Sequence, residues 1–473
     1  MRHPLLLLLL IYCSCALAQG SNNETGLYFV GFRDKDATPF TTDEPRAYLS
    51  DRALLRRAKH GAPITTLDLP VDPAYQNGAL ATGAKLWATS RWMNGVVMEA
   101  AGPQITALRA LPYVDTIYYV APVQYDRPGP RPRIPNLDRP APDFDPVPVD
   151  RRFYGFGWEN LRRMRGDSLH RIGYRGRGVL VAVFDGGFPD VNYKEFLGYH
   201  RNEQVPASYD LVEQDSTALD GSAHGATVLS TMAAHHPLFL IGTAPDARYV
   251  LFKTENGRGE HRMEEINYAI ALEIADSIGV DLVNSSLGYT TFTDEAMNYR
   301  YTDLDGRRSP ASIAADHAFA RGMVVVTSAG NNGGDKWKYI GIPADARGAF
   351  SIGALNDTDD ERAYFSSFGP TADGRTKPDV SAPGVRIPAV SANGKGITGA
   401  NGTSLSAPLV SGLLACLLQA VPDATNRELL EAVRQTASRA SNPDNERGYG
   451  LPDFGAAYRW LMARRPPPDG DTN

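Results

Sequence analysis

From residue 178 onward the chain alternates short, uninterrupted apolar runs with segments of helical spacing. GVLVAVFD (178–185), ARYVLFKTE (247–255), DLVNSSLG (281–288), GMVVVTSAG (322–330) and FSIGAL (350–355) are apolar almost throughout. EEINYAIALEIADSIGV (264–280) instead repeats its apolar residues at three- and four-residue spacing. A strand apolar on both sides is buried on both faces, and helices between such strands supply the cover. The pattern predicts an α/β domain, a mostly parallel sheet flanked by helices, over residues 155–463. Sites in such sheets form at the C-terminal ends of the strands, so the polar residues directly after each run are the ones to inspect.

The N-terminal third reads differently. LYFVGF (27–32), WMNGVVMEA (92–100) and YVDTIYYV (113–120) are strand candidates, and AYLSDRALLRRAKH (47–60) and PQITALRAL (103–111) have helical spacing. A small α+β unit over 26–122 follows, in a β-α-β-β-α-β order. Residues 126–150 hold eight prolines in twenty-five positions, which predicts an extended, exposed linker open to proteolysis. The tail 464–473 reads as disordered.

MRHPLLLLLLIYCSCALAQG opens the chain with a basic residue, an apolar run and a small-x-small ending at Ala16-Leu17-Ala18. This is the pattern of a secretory signal over 1–18, so the protein is expected to be exported, periplasmic or secreted. Lipid attachment at Cys15 is disfavoured, because Tyr12 stands where such a signal has an aliphatic residue. The run is too short to span a membrane. Cys13 and Cys15 leave with the signal, so only Cys416 remains and no internal disulfide is expected. A net charge of −6 over 473 residues gives no basic footprint for nucleic acid, and the cluster Arg56-Arg57-Ala58-Lys59 is too brief to make one.

Four polar residues sit where the sheet would place a site. Asp185 ends VLVAVFD and is followed by Gly186-Gly187; His224 lies in SAHGATVLSTMAAHH; Asn331 follows GMVVVTSAG; Ser404 lies in GTSLSAP, before the apolar LVSGLLACLLQA. Asp185, Asn331 and Ser404 alone each have an ordinary structural reading as a cap, loop carboxylate or turn, and one histidine of nine is weak evidence by itself. Together they supply a hydroxyl, an imidazole, an orienting carboxylate and an amide donor for an oxyanion, in the order Asp–His–Ser.

On these motifs residues 155–463 resemble the catalytic domain of a subtilisin-like serine protease. The resemblance implies Asp185 as orienting carboxylate, His224 as general base and then acid, Ser404 as nucleophile and Asn331 as oxyanion donor. It also implies substrate-binding edges at Ser286, Leu287 and Gly288, at Gly257 and Gly259, and at Gly330, where an extended peptide adds as a strand. Residues 26–122 resemble the propeptide of such proteases, with the maturation cut in the linker. Polypeptides and its own N-terminal domain are the expected partners, and the chain is expected to be a monomer. No cofactor and no specific metal site are expected, because an acidic run such as LNDTDDE (355–361) reads as solvated surface. Gly186 stands where the family has a hydroxyl residue, and Ala226-Thr227 where it has Thr-His. The acidic pair Glu264-Glu265 beside the substrate edge suggests a preference for basic side chains. Two rivals are an inactive binding protein of the same fold and another acyl-transfer enzyme. The absence of a G-x-S-x-G motif and the Asp–His–Ser order speak against an esterase.

Overall fold

A computed structural model describes residues 25–123, 147–189, 204–215, 217–391 and 396–465. The expected signal 1–18, most of the linker 126–150 and the tail beyond 465 lie outside the described residues.

The N-terminal unit runs β1 (Gly26–Phe32), α1 (Asp51–His60), α2 (Pro73–Leu80), β2 (Lys85–Ser90), β3 (Gly95–Ala100), α3 (Gly102–Arg109) and β4 (Val114–Pro122). Its strands form an antiparallel sheet in the order β2-β3-β1-β4. Helix α2 is an addition to the expected order. Asp72 caps it by accepting the Ala74 N–H, and Pro73 occupies the position where a missing N–H costs nothing. The stretch 92–100 is a strand only from Gly95, because residues 91–94 form the turn that reverses the chain.

Short helices α4 (Arg151–Tyr154), α5 (Trp158–Arg163) and α6 (Gly166–Arg171) lead into β5 (Leu180–Asp185). Then come β6 (Ala207–Asp210), α7 (His224–Ala233), the hairpin β7 (His235–His236) and β8 (Leu240–Ile241), and β9 (Arg248–Lys253). Helix α8 (Arg262–Ile278), β10 (Leu282–Ser285), α9 (Pro310–Ala320), β11 (Val324–Ser328), β12 (Ala349–Leu355) and β13 (Val380–Pro383) continue the alternation. A hairpin of β14 (Ile387–Val390) and β15 (Ile397–Ala400) precedes α10 (Thr403–Ala420), α11 (Asn426–Gln435) and α12 (Phe454–Met462).

Seven strands form one parallel sheet in the order β13-β12-β11-β10-β5-β9-β6. Alternate residues of β5 explain why its sequence is apolar throughout. Val181 and Val183 pack in the cluster with Met232 of α7 and Leu413 of α10, while Leu180, Ala182 and Phe184 pack with Leu272 of α8 and Ala315 of α9. Helix α10 is long and apolar enough to cross a membrane, but here it is a core helix, buried from Thr403 to Leu418.

Helix α8 serves both units. Its other face offers Met263, Ile266 and Ile270 to Leu27, Phe29, Trp87, Val97 and Val120 of the N-terminal sheet. Ion pairs surround that contact. Arg56, Arg57 and Arg91 all reach Asp276 of α8, and Arg57 shares Asp68 with Arg321. The brief basic cluster of the sequence is therefore largely buried: Arg56 and Arg57 are anchors in an interface.

Candidate active site

Parallel register sets one edge of the site. Asp185 pairs with Lys253, and Ser285 lies level with Phe184 and Thr327, so the ends of β5, β10 and β11 open on one crevice. Asp185 is buried, and its Oδ1 accepts the N–H of Gly186 at 2.8 Å. His224 begins α7, and its Nδ1 lies 2.9 Å from both carboxylate oxygens of Asp185. This closeness depends on Gly225. A Cβ there would lie 2.3 Å from the Gly187 carbonyl oxygen and 2.8 Å from Asp185 Cβ, forcing helix and strand apart. The loop entering α7 is fastened by Lys253, whose ammonium reaches Asp210 and Asp220 at 2.9 Å and Glu213 at 3.4 Å. That cluster of acids already holds a cation of the chain's own.

Ser404 is the second residue of α10, at the positive end of the helix dipole. Pro408 lies four residues on and has no N–H, so the Ser404 carbonyl lacks its helical partner. Ser286 supplies one, its hydroxyl donating to Ser404 O at 2.9 Å, and Asn284 and Ser411 extend the chain of bonds beneath. Asn331 Oδ1 accepts both the N–H and the hydroxyl of Thr403 at 2.9 Å. With its oxygen so occupied, its Nδ2 is left to face the crevice. Nδ2 and Ser404 Oγ lie 3.6 and 2.8 Å from the point where a Cβ on Gly402 would stand. Gly402 has φ +149°, and a side chain there would fill the space between nucleophile and amide.

The structure brings Asp185 and His224 together by direct bonds, and Ser404 and Asn331 around Gly402. Helices α7 and α10 pack on each other. Among the described residues no hydrogen bond joins Ser404 to His224, a contact that commonly closes only when substrate arrives. The Asp185 carboxylate raises the His224 pKa above the ordinary 6.5, outweighing the opposing effect of burial.

The residues expected to bind substrate divide. Gly257 and Gly288 are exposed, and Gly330, at φ +107°, is half-buried beside Asn331. Gly259, at φ +135°, closes the turn after Arg258. Ser286 faces inward as the support described above, and the Leu287 carbonyl accepts the Ser328 hydroxyl at 3.3 Å. The suggested role of Glu264 and Glu265 in attracting basic side chains is not supported. Glu264 is turned to the backbone of its own loop, and Glu265 is taken by Arg262, Tyr299 and Ser309, so neither offers a free carboxylate. The acidic run 355–361 is engaged in pairs such as Asp360 with Arg163 and Glu361 with Arg447. Thr403, Gly225 and the Ser286 support escaped the reading of the sequence. The Gly-Thr-Ser and His-Gly pairs were visible, but what each small residue touches was not.

Residues 176–450 match the Subtilase family, and residues 27–133 match the Peptidase S8 propeptide domain of Bacteroidota. The chain is 30% identical over 289 residues to Subtilisin NAT of Bacillus subtilis subsp. natto, covering 60% of this chain and 66% of that protein. It therefore spans just under two thirds of that relative. It is 30% identical to Subtilisin of Bacillus pumilus over 59% of this chain and 90% of that one. M-protease of Shouchella clausii is 29% identical over 63% of this chain and 69% of its own length.

Proposed function

The chain belongs to the subtilase family of serine-type endopeptidases, and from that premise we propose that it is an exported endopeptidase made as a precursor. The carrying observation is the Asp185 carboxylate gripping His224 Nδ1 while Ser404 and Asn331 meet at the start of α10. Ser404 Oγ attacks the peptide carbonyl carbon as His224 Nε2 takes its proton, and Asp185 stabilises the imidazolium. The oxygen that gains the charge is met by Asn331 Nδ2 and by the N-terminus of α10. Collapse breaks the C–N bond, His224 gives its proton to the leaving amine, and an acyl-enzyme remains. Water, deprotonated by His224, then releases the acid and restores the serine.

Residues 1–18 are the signal, 26–122 a propeptide domain, 126–150 the linker that holds the cut, and 155–463 the catalytic unit. In support, strand β4 delivers the chain to the substrate edge. Ala121 and Pro122 line one small cavity with Asn256, His261 and Glu264. The test is the intact mass of the expressed wild type and of Ser404→Ala, with fluorophosphonate labelling of both. Loss of the N-terminal unit in wild type alone, by a cut near 122–155, together with a label on Ser404, is the expected result. An unlabelled, uncut wild type would make the chain an inactive member of its family.

A further inference from the structure

We infer that Glu264 is a positioning residue for the substrate, setting the loop that grips a peptide's backbone; this rests on the protease reading above. Glu264 lies in the first turn of α8 and is 1% exposed. Both its carboxyl oxygens are used on backbone. Oε1 accepts the Asn256 N–H at 2.8 Å and Oε2 accepts the His261 N–H at 3.0 Å. These donors are the two ends of one loop, 256–261, and the loop's tip is the Gly257-Arg258-Gly259 edge.

The tip carries glycine at two of its three positions. Gly257 would meet nothing within 4 Å if it carried a Cβ, and Gly259 sits at φ +135°. Asn256 Oδ1 accepts the Arg258 N–H at 2.9 Å, and the Glu260 carbonyl accepts the Thr293 N–H at 2.9 Å. These bonds shape the tip and tie down one limb. From below, the carboxyl of Glu264 is bound to both limbs and so fixes their separation. An apolar residue at 264 would leave two backbone N–H groups beneath the loop without that acceptor.

The choice of a carboxyl here carries a cost that the backbone bonds must offset. Oxygens of Glu255, Glu260 and Glu264 lie within 4.8 Å of one another, and burial with this crowding pushes the Glu264 pKa up to about 10. The same loop also meets the end of β4, through the small cavity shared with Ala121 and Pro122. One carboxyl thus sets the grip on both a substrate and the chain's own N-terminal unit.

The test compares wild type, Glu264→Gln and Glu264→Ala as full-length chains that have completed their own processing. Two probes report on Ser404: a small alkyl fluorophosphonate, which needs only the nucleophile and oxyanion donors, and a tetrapeptidyl phosphonate, which also needs the edge. In both variants the peptide-bearing probe is expected to label about tenfold more slowly, with the small probe within about twofold of wild type. Peptide hydrolysis is then expected to show a raised KM at nearly unchanged kcat. Equal slowing of both probes would make Glu264 a support of the fold or triad and overturn the inference, as would unchanged labelling by both. A wild type that reacts with neither probe would overturn the protease reading itself, an outcome distinct from any difference between variants.

Discussion

Replacing Asp276 with asparagine removes a carboxylate on which three arginines of the N-terminal unit converge. Arg57 and Arg91 reach it at 2.6 Å and Arg56 shares its other oxygen, with side-chain exposures of 2%, 10% and 3% against 0% for Asp276. Burial makes this pairing consequential, because removing one partner of a buried ion pair leaves uncompensated charge at a cost of about 3–5 kcal/mol. Each arginine keeps other partners: Arg57 has Asp68, Arg56 has the Arg321 and Val280 carbonyls, and Arg91 has Ser277 and the Glu273 carbonyl. The lower end, about 3 kcal/mol, is therefore expected, a roughly 150-fold weaker hold of the cleaved N-terminal unit on the catalytic unit. The assay is the inhibition constant of that unit against a peptide substrate, after processing and over a dilution series. Catalytic constants of the freed enzyme should not change, since Asp276 lies near the end of α8 that leads into the start of β10, at the opposite end of the sheet from the crevice. Arg46→Ala provides the contrast: its pair with Asp51 is exposed, and the inhibition constant should stay at the wild-type value. An Asp276→Asn inhibition constant within about threefold of wild type would place the hold in the apolar contact of Met263, Ile266 and Ile270 instead.

Activity should depend on the neutral imidazole of His224, whose pKa the Asp185 carboxylate raises above 6.5. The acid limb of kcat/KM is thus expected to have its midpoint above pH 6.5, and Asp185→Asn to move it downward while lowering the rate; a wild-type midpoint at or below 6.5 would contradict this. The stability linked to this pair runs the other way. It is fully present below pH 6.5 and lost as pH rises through the raised value, so thermal stability should decline across the window where activity grows. Asn331→Leu should lower kcat by about 10²–10³ at little change in KM, a magnitude known from subtilisin itself when its oxyanion asparagine is lost, and steady-state kinetics on one peptide would check it.

The sequence was most legible where function is tied to the end of a strand. Asp185 and Asn331 stand directly after apolar runs, and Ser404 directly before one, so their positions followed from the alternation of strand and helix. What it concealed depends on contacts between distant segments. The β-α-β-β-α-β order requires a strand between α1 and β3, but the sequence alone assigns no residues to it; the structure places β2 there, with a register shift between Leu86 and Ala88, and adds α2 before it. Arg56 and Arg57 read only as a basic cluster too brief for nucleic acid, because nothing local marks the aspartate more than two hundred residues away that they pair with. Glu264 and Glu265 read as attracting basic substrate side chains for the same reason. Helical spacing gives the side on which a residue lies, but not whether that side meets water or another unit.

The departure at Gly186 can be judged from its surroundings. A side chain there would set its Cβ 3.2 Å from Ser222 Cβ and 3.7 Å from Glu255 Cβ, so the neighbours already occupy much of the space a hydroxyl residue would take. Asp185 still receives the Gly186 N–H and both contacts from His224, which accounts for one backbone and one ring donor without any side chain at 186. Glu255 carries the more demanding constraint. It is a second carboxyl beside Asp185, bound by the hydroxyls of Tyr289 and Thr254, and burial pushes its pKa up to about 8, with the Asp185 charge adding to the rise. The rise favours the neutral form of Glu255 and so lessens the second negative charge beside Asp185. In the proposed mechanism the imidazolium on His224 is balanced by Asp185, the carboxylate placed at Nδ1.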